Sequence, residues 1–116
     1  MKFKKWLDAQ LKNGLPEEVV AINFNLYEGE KDGHYDAQIV GCPSYDPDDT
    51  DWACDELFSS EEDLYHFKSG EWEVALEDFQ KTLEEYLEST PESILHKYDH
   101  ITIGFVDGDL VSVVDR

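Results

Sequence analysis

The chain has 116 residues, enough for one hydrophobic core and too few for two independent ones. Its 28 carboxylates against nine Lys and Arg leave a formal net charge of -19, which argues against binding to DNA, RNA or anionic lipid, because those associations draw their affinity from Lys and Arg contacts. Apolar residues at 41% and aromatics at 13% set it apart from a disordered acidic tail.

No segment approaches the roughly 18 consecutive apolar residues of a membrane helix. The basic N-terminus lacks the apolar run and small-residue cleavage site of a signal peptide, so a cytoplasmic protein starting at Met1 is expected. Cys42 and Cys54 are too few for a disulfide framework and are expected as thiols. Lys2, Lys4, Lys5 and Lys12 place four of the nine basic residues in the first twelve positions, polarising the charge along the chain.

Phe3, Trp6, Leu7, Leu11 and Leu15 recur at spacings of three and four, which predicts an amphipathic helix ending near Asn13-Gly14. From Val20 the period becomes two: Val20, Ile22, Phe24 and Leu26 share one face, and Asn23, Asn25 and Tyr27 the other. After the turn material of residues 28–33, Tyr35, Ala37, Ile39 and Gly41 alternate with His34, Asp36 and Gln38, completing an antiparallel hairpin.

Residues 42–63 are the least regular, with Pro43, Pro47 and aspartates at 46, 48, 49 and 51 marking an exposed loop. Trp52, Cys54 and Leu57-Phe58 suggest a short third strand, and Ser59 or Ser60 ahead of Glu61-Glu62-Asp63 a helix cap. Trp72, Leu76, Phe79, Leu83 and Tyr86-Leu87 form the stripe of a long helix that Pro91 stops. A further helical turn is expected around Glu92 to Lys97.

Ile101, Ile103 and Phe105 alternate up to Asp107-Gly108, and residues 110–114 return. A three-residue loop, preferred to a two-residue one, aligns Phe105 with Val111 and Ile103 with Val113. Val106, Leu110 and Val114 on the reverse face make these strands look central. The order of elements fits an α+β fold: a mostly antiparallel sheet of four to five strands with two main helices packed on it.

Asp46 to Asp51 invites a cation reading, since hard cations take alternating loop carboxylates. An EF-hand started at Asp46 needs glycine sixth and glutamate twelfth, and finds Asp51 and Leu57. His34, Cys42, Cys54 and His66 lack zinc-site spacing, and His96 and His100, four apart and able to share a helical face, lack the adjacent glutamate of a zinc protease. Neither metal nor cofactor is therefore expected. The chain has no G-x-S-x-G elbow and no phosphate-cradling glycine loop, so an enzyme is not expected.

The block Asn23-Phe24-Asn25-Leu26-Tyr27-Glu28, followed by Ile39-Val40-Gly41 and by Asp46-Pro47-Asp48-Asp49-Thr50-Asp51-Trp52-Ala53-Cys54-Asp55-Glu56, resembles the small acidic immunity proteins of bacterial polymorphic and contact-dependent toxin systems. The resemblance implies a dedicated inhibitor that binds a cognate toxin domain, often a basic nuclease, without chemistry of its own. It assigns no individual contact residues. From the residues themselves, the expected partner surface comprises Tyr27, Asp36, Tyr45, Asp46, Asp48, Asp49, Asp51, Trp52, Asp55 and Glu56, carboxylates around aromatic anchors. Two other readings compete with it: a metal-dependent or carboxylate-based hydrolase using Asp46, Asp48, Asp49 and Asp51, and a nucleic-acid mimic.

Overall fold

The computed structural model describes residues 2–106 and 108–116. It begins with helix α1 (Lys2–Leu11), whose Phe3, Leu7 and Leu11 are buried. Gly14, at φ +75, carries the chain out of the helix, its amide donating to the Leu11 carbonyl at 2.9 Å. A left-handed residue just past a helix is where glycine pays no Cβ penalty.

Strands β1 (Ala21–Glu28) and β2 (His34–Cys42) form the expected hairpin, with Phe24 opposite Ile39 and Tyr27 opposite Asp36. Val20 falls outside β1 and is 46% exposed, and Val19 takes the core position instead. The 3-10 turn Thr50–Cys54 follows, then β3 (Phe58–Ser59) and β4 (Tyr65–Lys68), both paired antiparallel with β2 at different points along one edge. Trp52 and Cys54 thus belong to a helical turn, and the third strand starts only at Phe58.

The expected helix cap at Ser59 or Ser60 is absent. The Ser60 hydroxyl accepts the Ile39 amide at 3.2 Å and its own amide donates to the Ile39 carbonyl at 3.0 Å, so this serine serves the sheet. Ser59 Oγ accepts the Glu61 amide at 2.9 Å, and Glu61 adopts φ +53, turning the chain between two strands on the same edge.

Helix α2 (Trp72–Ser89) buries Ala75, Phe79, Leu83 and Tyr86. Trp72, expected in that stripe, is 51% exposed: it meets the sheet only edge-on at Phe105, and the buried face of the helix begins at Ala75. The 3-10 turn Ile94–Lys97 is capped by Ser93, and His100 opens a strand, so His96 and His100 share no helical face.

Strand β5 (His100–Phe105) inserts between β1, to which it is parallel, and β6 (Val111–Asp115), to which it is antiparallel. Among the described residues the sheet has six strands, in the order β3-β2-β1-β5-β6 with β4 beside β2. Strand β5 is central as expected, and β6 is an edge.

Ile103 pairs with Val111 and Ile101 with Val114 across a bulge, so neither hairpin loop read from the sequence applies. Asp107 of that turn lies outside the described residues. The longer connection folds back over Gly104, where a Cβ would meet the Asp109 carbonyl oxygen at 2.7 Å and Leu110 Cδ2 at 3.0 Å. Only glycine permits that approach. The bulge also turns Val114 toward the main core, so that of the three residues expected on the reverse face Leu110 packs there and Val106 stays 57% exposed.

Both helices lie on one face of the sheet, where Phe3 and Leu7 of α1 meet Phe79 and Tyr86 of α2 over Ile22, Phe24, Ile101 and Ile103. Phe3 is the hub of this packing, edge-on to Phe79 and Tyr86 with ring centroids 5.5 and 5.9 Å away. A smaller cluster of Ala21, Val40, Cys42, Trp52 and Ala53 packs on the helix-free face. The basic residues of α1 and the acidic loop are consequently separated by the sheet.

Candidate functional site

Period-two alternation sends Asn23, Asn25, Tyr27, Gln38 and Thr102 to the helix-free face, where they form one hydrogen-bonded chain. Thr102 Oγ1 donates to Asn23 Oδ1 at 2.8 Å, and Asn23 Nδ2 to Asn25 Oδ1 at 2.7 Å. Asn25 Nδ2 donates to Gln38 Oε1 at 3.2 Å, the Tyr27 hydroxyl to the same oxygen at 3.1 Å, and Gln38 Nε2 to the Glu61 carbonyl at 3.2 Å. All four links from Thr102 to Glu61 donate in one direction, so the dipoles reinforce one another. Asn23 is fully buried and Thr102 nearly so, whereas Asn25, Tyr27 and Gln38 reach the surface.

The acidic loop rims this chain. Trp52, expected as an exposed anchor, is 6% exposed and packs with Val40, Cys42 and Ala53, so it pins the loop to the sheet. Tyr45 packs against Trp52 at 5.1 Å between ring centroids and stacks on His100. Within the loop, Asp46 Oδ1 accepts the Asp48 amide at 2.9 Å and Asp49 Oδ1 the Asp51 amide at 3.0 Å. Two short aspartate turns thereby hold the backbone.

Asp46, Asp48, Asp49, Asp51, Asp55 and Glu56 are all exposed, and none forms an ion pair among the described residues. At the other end of the face, Asp36 pairs with His66 across the β2–β4 ladder. Burial raises the Tyr27 pKa and the Glu56 charge adds to the rise; burial also pushes the Cys42 thiol up to about 12, with Glu56 and Asp55 contributing. Cys42 is therefore a packing thiol, and Asp55 and Glu56 lie over the same face as Tyr27.

The expected partner surface thus divides. Tyr45 stacks on His100 and packs on Trp52, with Asp46, Asp48, Asp49 and Asp51 on the loop between these two aromatics; Tyr27 and Asp36 are cross-strand partners in the hairpin, and of the remaining pair, Asp55 and Glu56, the Glu56 charge reaches Tyr27. Sequence reasoning missed Thr102, and it weighed His66 and His100 only as metal ligands, not as the partners of Asp36 and Asp115. Thr102 was legible as the one polar residue between two isoleucines in β5; the Asp36–His66 pair was hidden because β4 itself was not recognised.

Among the described residues, no group of three or more His, Cys, Asp or Glu is placed to hold a metal ion, and no helix is long and apolar enough to cross a membrane. No family model, no curated protein and no solved structure matches the chain.

Proposed function

We propose that the chain is a protein-binding inhibitor of the immunity type, acting in the cytoplasm to neutralise a cognate basic, nuclease-like toxin by direct occlusion. One observation carries this reading. Six exposed carboxylates that have no ion-pair partner among the described residues are held on a pinned loop beside a hydrogen-bonded polar sheet face, and the basic helix α1 lies on the opposite side of the sheet. A fixed negative surface steers a cationic protein into encounter, and a surface rigid before binding loses little entropy on contact.

The hydrolase reading has less support, since Asp46 and Asp49 spend an oxygen each on loop amides. A nucleic-acid mimic remains a variant of the same binding class, distinguished by promiscuity toward several DNA-binding proteins.

The test is co-expression with the product of the gene immediately upstream, which this reading expects to end in a basic domain. A tight one-to-one complex whose association slows as salt rises is the expected result. Failure to form a complex, or an association rate indifferent to salt, overturns the reading.

A further inference from the structure

At the end of the sheet opposite Tyr45 and His100, the β1–β2 turn and the first turn of α2 enclose an open hollow of about 670 Å³. Trp72 and Glu28 line it and also line a smaller hollow of about 250 Å³ beside Phe105. The Trp72 ring stands edge-on to Phe105, centroids 6.2 Å apart, and half of it is exposed. A half-bare tryptophan ring set between two hollows is the kind of feature that marks an interaction surface.

The charge around this patch selects its occupant. Glu28 at the end of β1, Asp32 from the turn, Glu71 capping α2 and Glu73 in its first turn line the larger hollow against one ammonium, Lys31. Their fields meet at the Tyr35 hydroxyl, whose pKa is raised first by burial and then by all four carboxylates. Glu71 and Glu73 are accounted for by the positive end of the α2 dipole. Glu28 and Asp32 belong to a strand end and a turn, and have no such role.

Resting on the proposed function, and adding a second contact region to it, we propose that this end of the molecule docks an arginine-bearing basic segment of the protein partner. The guanidinium lies on the Trp72 ring and reaches toward Glu28 and Asp32, and a neighbouring apolar side chain rests against Phe105. Arginine fits better than lysine because its planar fork both stacks on an aromatic face and bonds carboxylates in pairs. The two hollows together hold a short stretch of chain and are too open for a single ion.

The experiment is an NMR titration of the full chain with a capped tetra-arginine peptide, tetra-lysine serving as comparison. Saturable shifts are expected at the Trp72 indole N–H and around residues 28–33 and 70–74. Trp72→Ala and, separately, the Glu28→Gln/Asp32→Asn pair each weaken binding about three- to fivefold, and tetra-lysine binds more weakly. Both variants alter exposed side chains, so they leave the core intact. Shifts confined to the Asp46–Glu56 loop overturn the docking at Trp72 while leaving the proposed function standing. An affinity unchanged by both variants also overturns it.

Discussion

The phenol ring of Tyr45 lies flat on the imidazole of His100, centroids 3.8 Å apart and planes 2° from parallel. His100 opens the central strand β5 and its Nδ1 pairs with Asp115 Oδ1 at 3.1 Å on the edge strand. The start of the acidic loop is thereby tied to the middle of the sheet. Tyr45→Ala removes this stack and the contact with Trp52. Hydrogen exchange at the Asp48 and Asp51 amides is expected to accelerate about fivefold, in line with aromatic-pair energies near 1 kcal/mol, with little change in global stability.

The loop carboxylates provide a clean test of steering, because Asn retains the oxygen that Asp46 and Asp49 use for their turns. Replacing Asp46, Asp48, Asp49 and Asp51 by Asn removes four charges and leaves the backbone bonds available. Association with the basic partner is expected to slow by about tenfold or more at low salt, with a smaller effect on dissociation. Stopped-flow rates at two salt concentrations check this, and equal slowing at both contradicts it.

Removing Thr102 Oγ1 leaves the buried Asn23 Oδ1 without the donor that now reaches it at 2.8 Å. Thr102→Val nearly conserves volume, so the loss reads out the hydrogen bond and the orphaned oxygen. Urea unfolding is expected to show about 1–3 kcal/mol lower stability.

A net charge of -19 opposes compaction throughout. Raising salt from about 0.01 to 0.1 M shortens the screening length from about 30 to 10 Å, and the melting temperature is expected to rise. A flat or falling melting temperature in a salt-dependent scan contradicts self-repulsion as a significant cost.

Alkaline stability follows from Tyr86, 1% exposed. Burial is the main cause that pushes its pKa from 10.0 up to about 12, and the bonds and charges around it act in both directions, with Asp8 raising it and Ser93 lowering it. A raised folded-state pKa means the unfolded chain gives up its proton first. The stabilisation is therefore complete below pH 10 and lost as pH rises toward 12. Tyr86→Phe, which deletes the bonds to Asp8 at 2.7 Å and Ser93 at 2.9 Å, is expected to flatten that alkaline loss and to lower neutral-pH stability by about 1–2 kcal/mol. Circular dichroism against pH, for both proteins, checks the sign.

The periodicities alone determined α1, α2, the first hairpin and which face of each strand carries isoleucine or asparagine, because helix and strand repeats are local consequences of backbone geometry. The acidity of the loop and the spacing that rules out an EF-hand were equally local. What the tertiary structure decided was everything depending on contacts distant in the chain. Strand β4 alternates Tyr65 and Phe67 with His66 and Lys68, but over only four residues; the β2 edge, with free hydrogen-bonding groups to offer, is what gives so short a segment its pairing. Strand β5 crosses to lie parallel to β1, and Thr102 meets Asn23 only there, 79 residues apart. Trp52 is buried and Trp72 half bare for the same reason: each tryptophan's exposure depends on whether another part of the chain arrives to cover it, and no local pattern encodes that arrival.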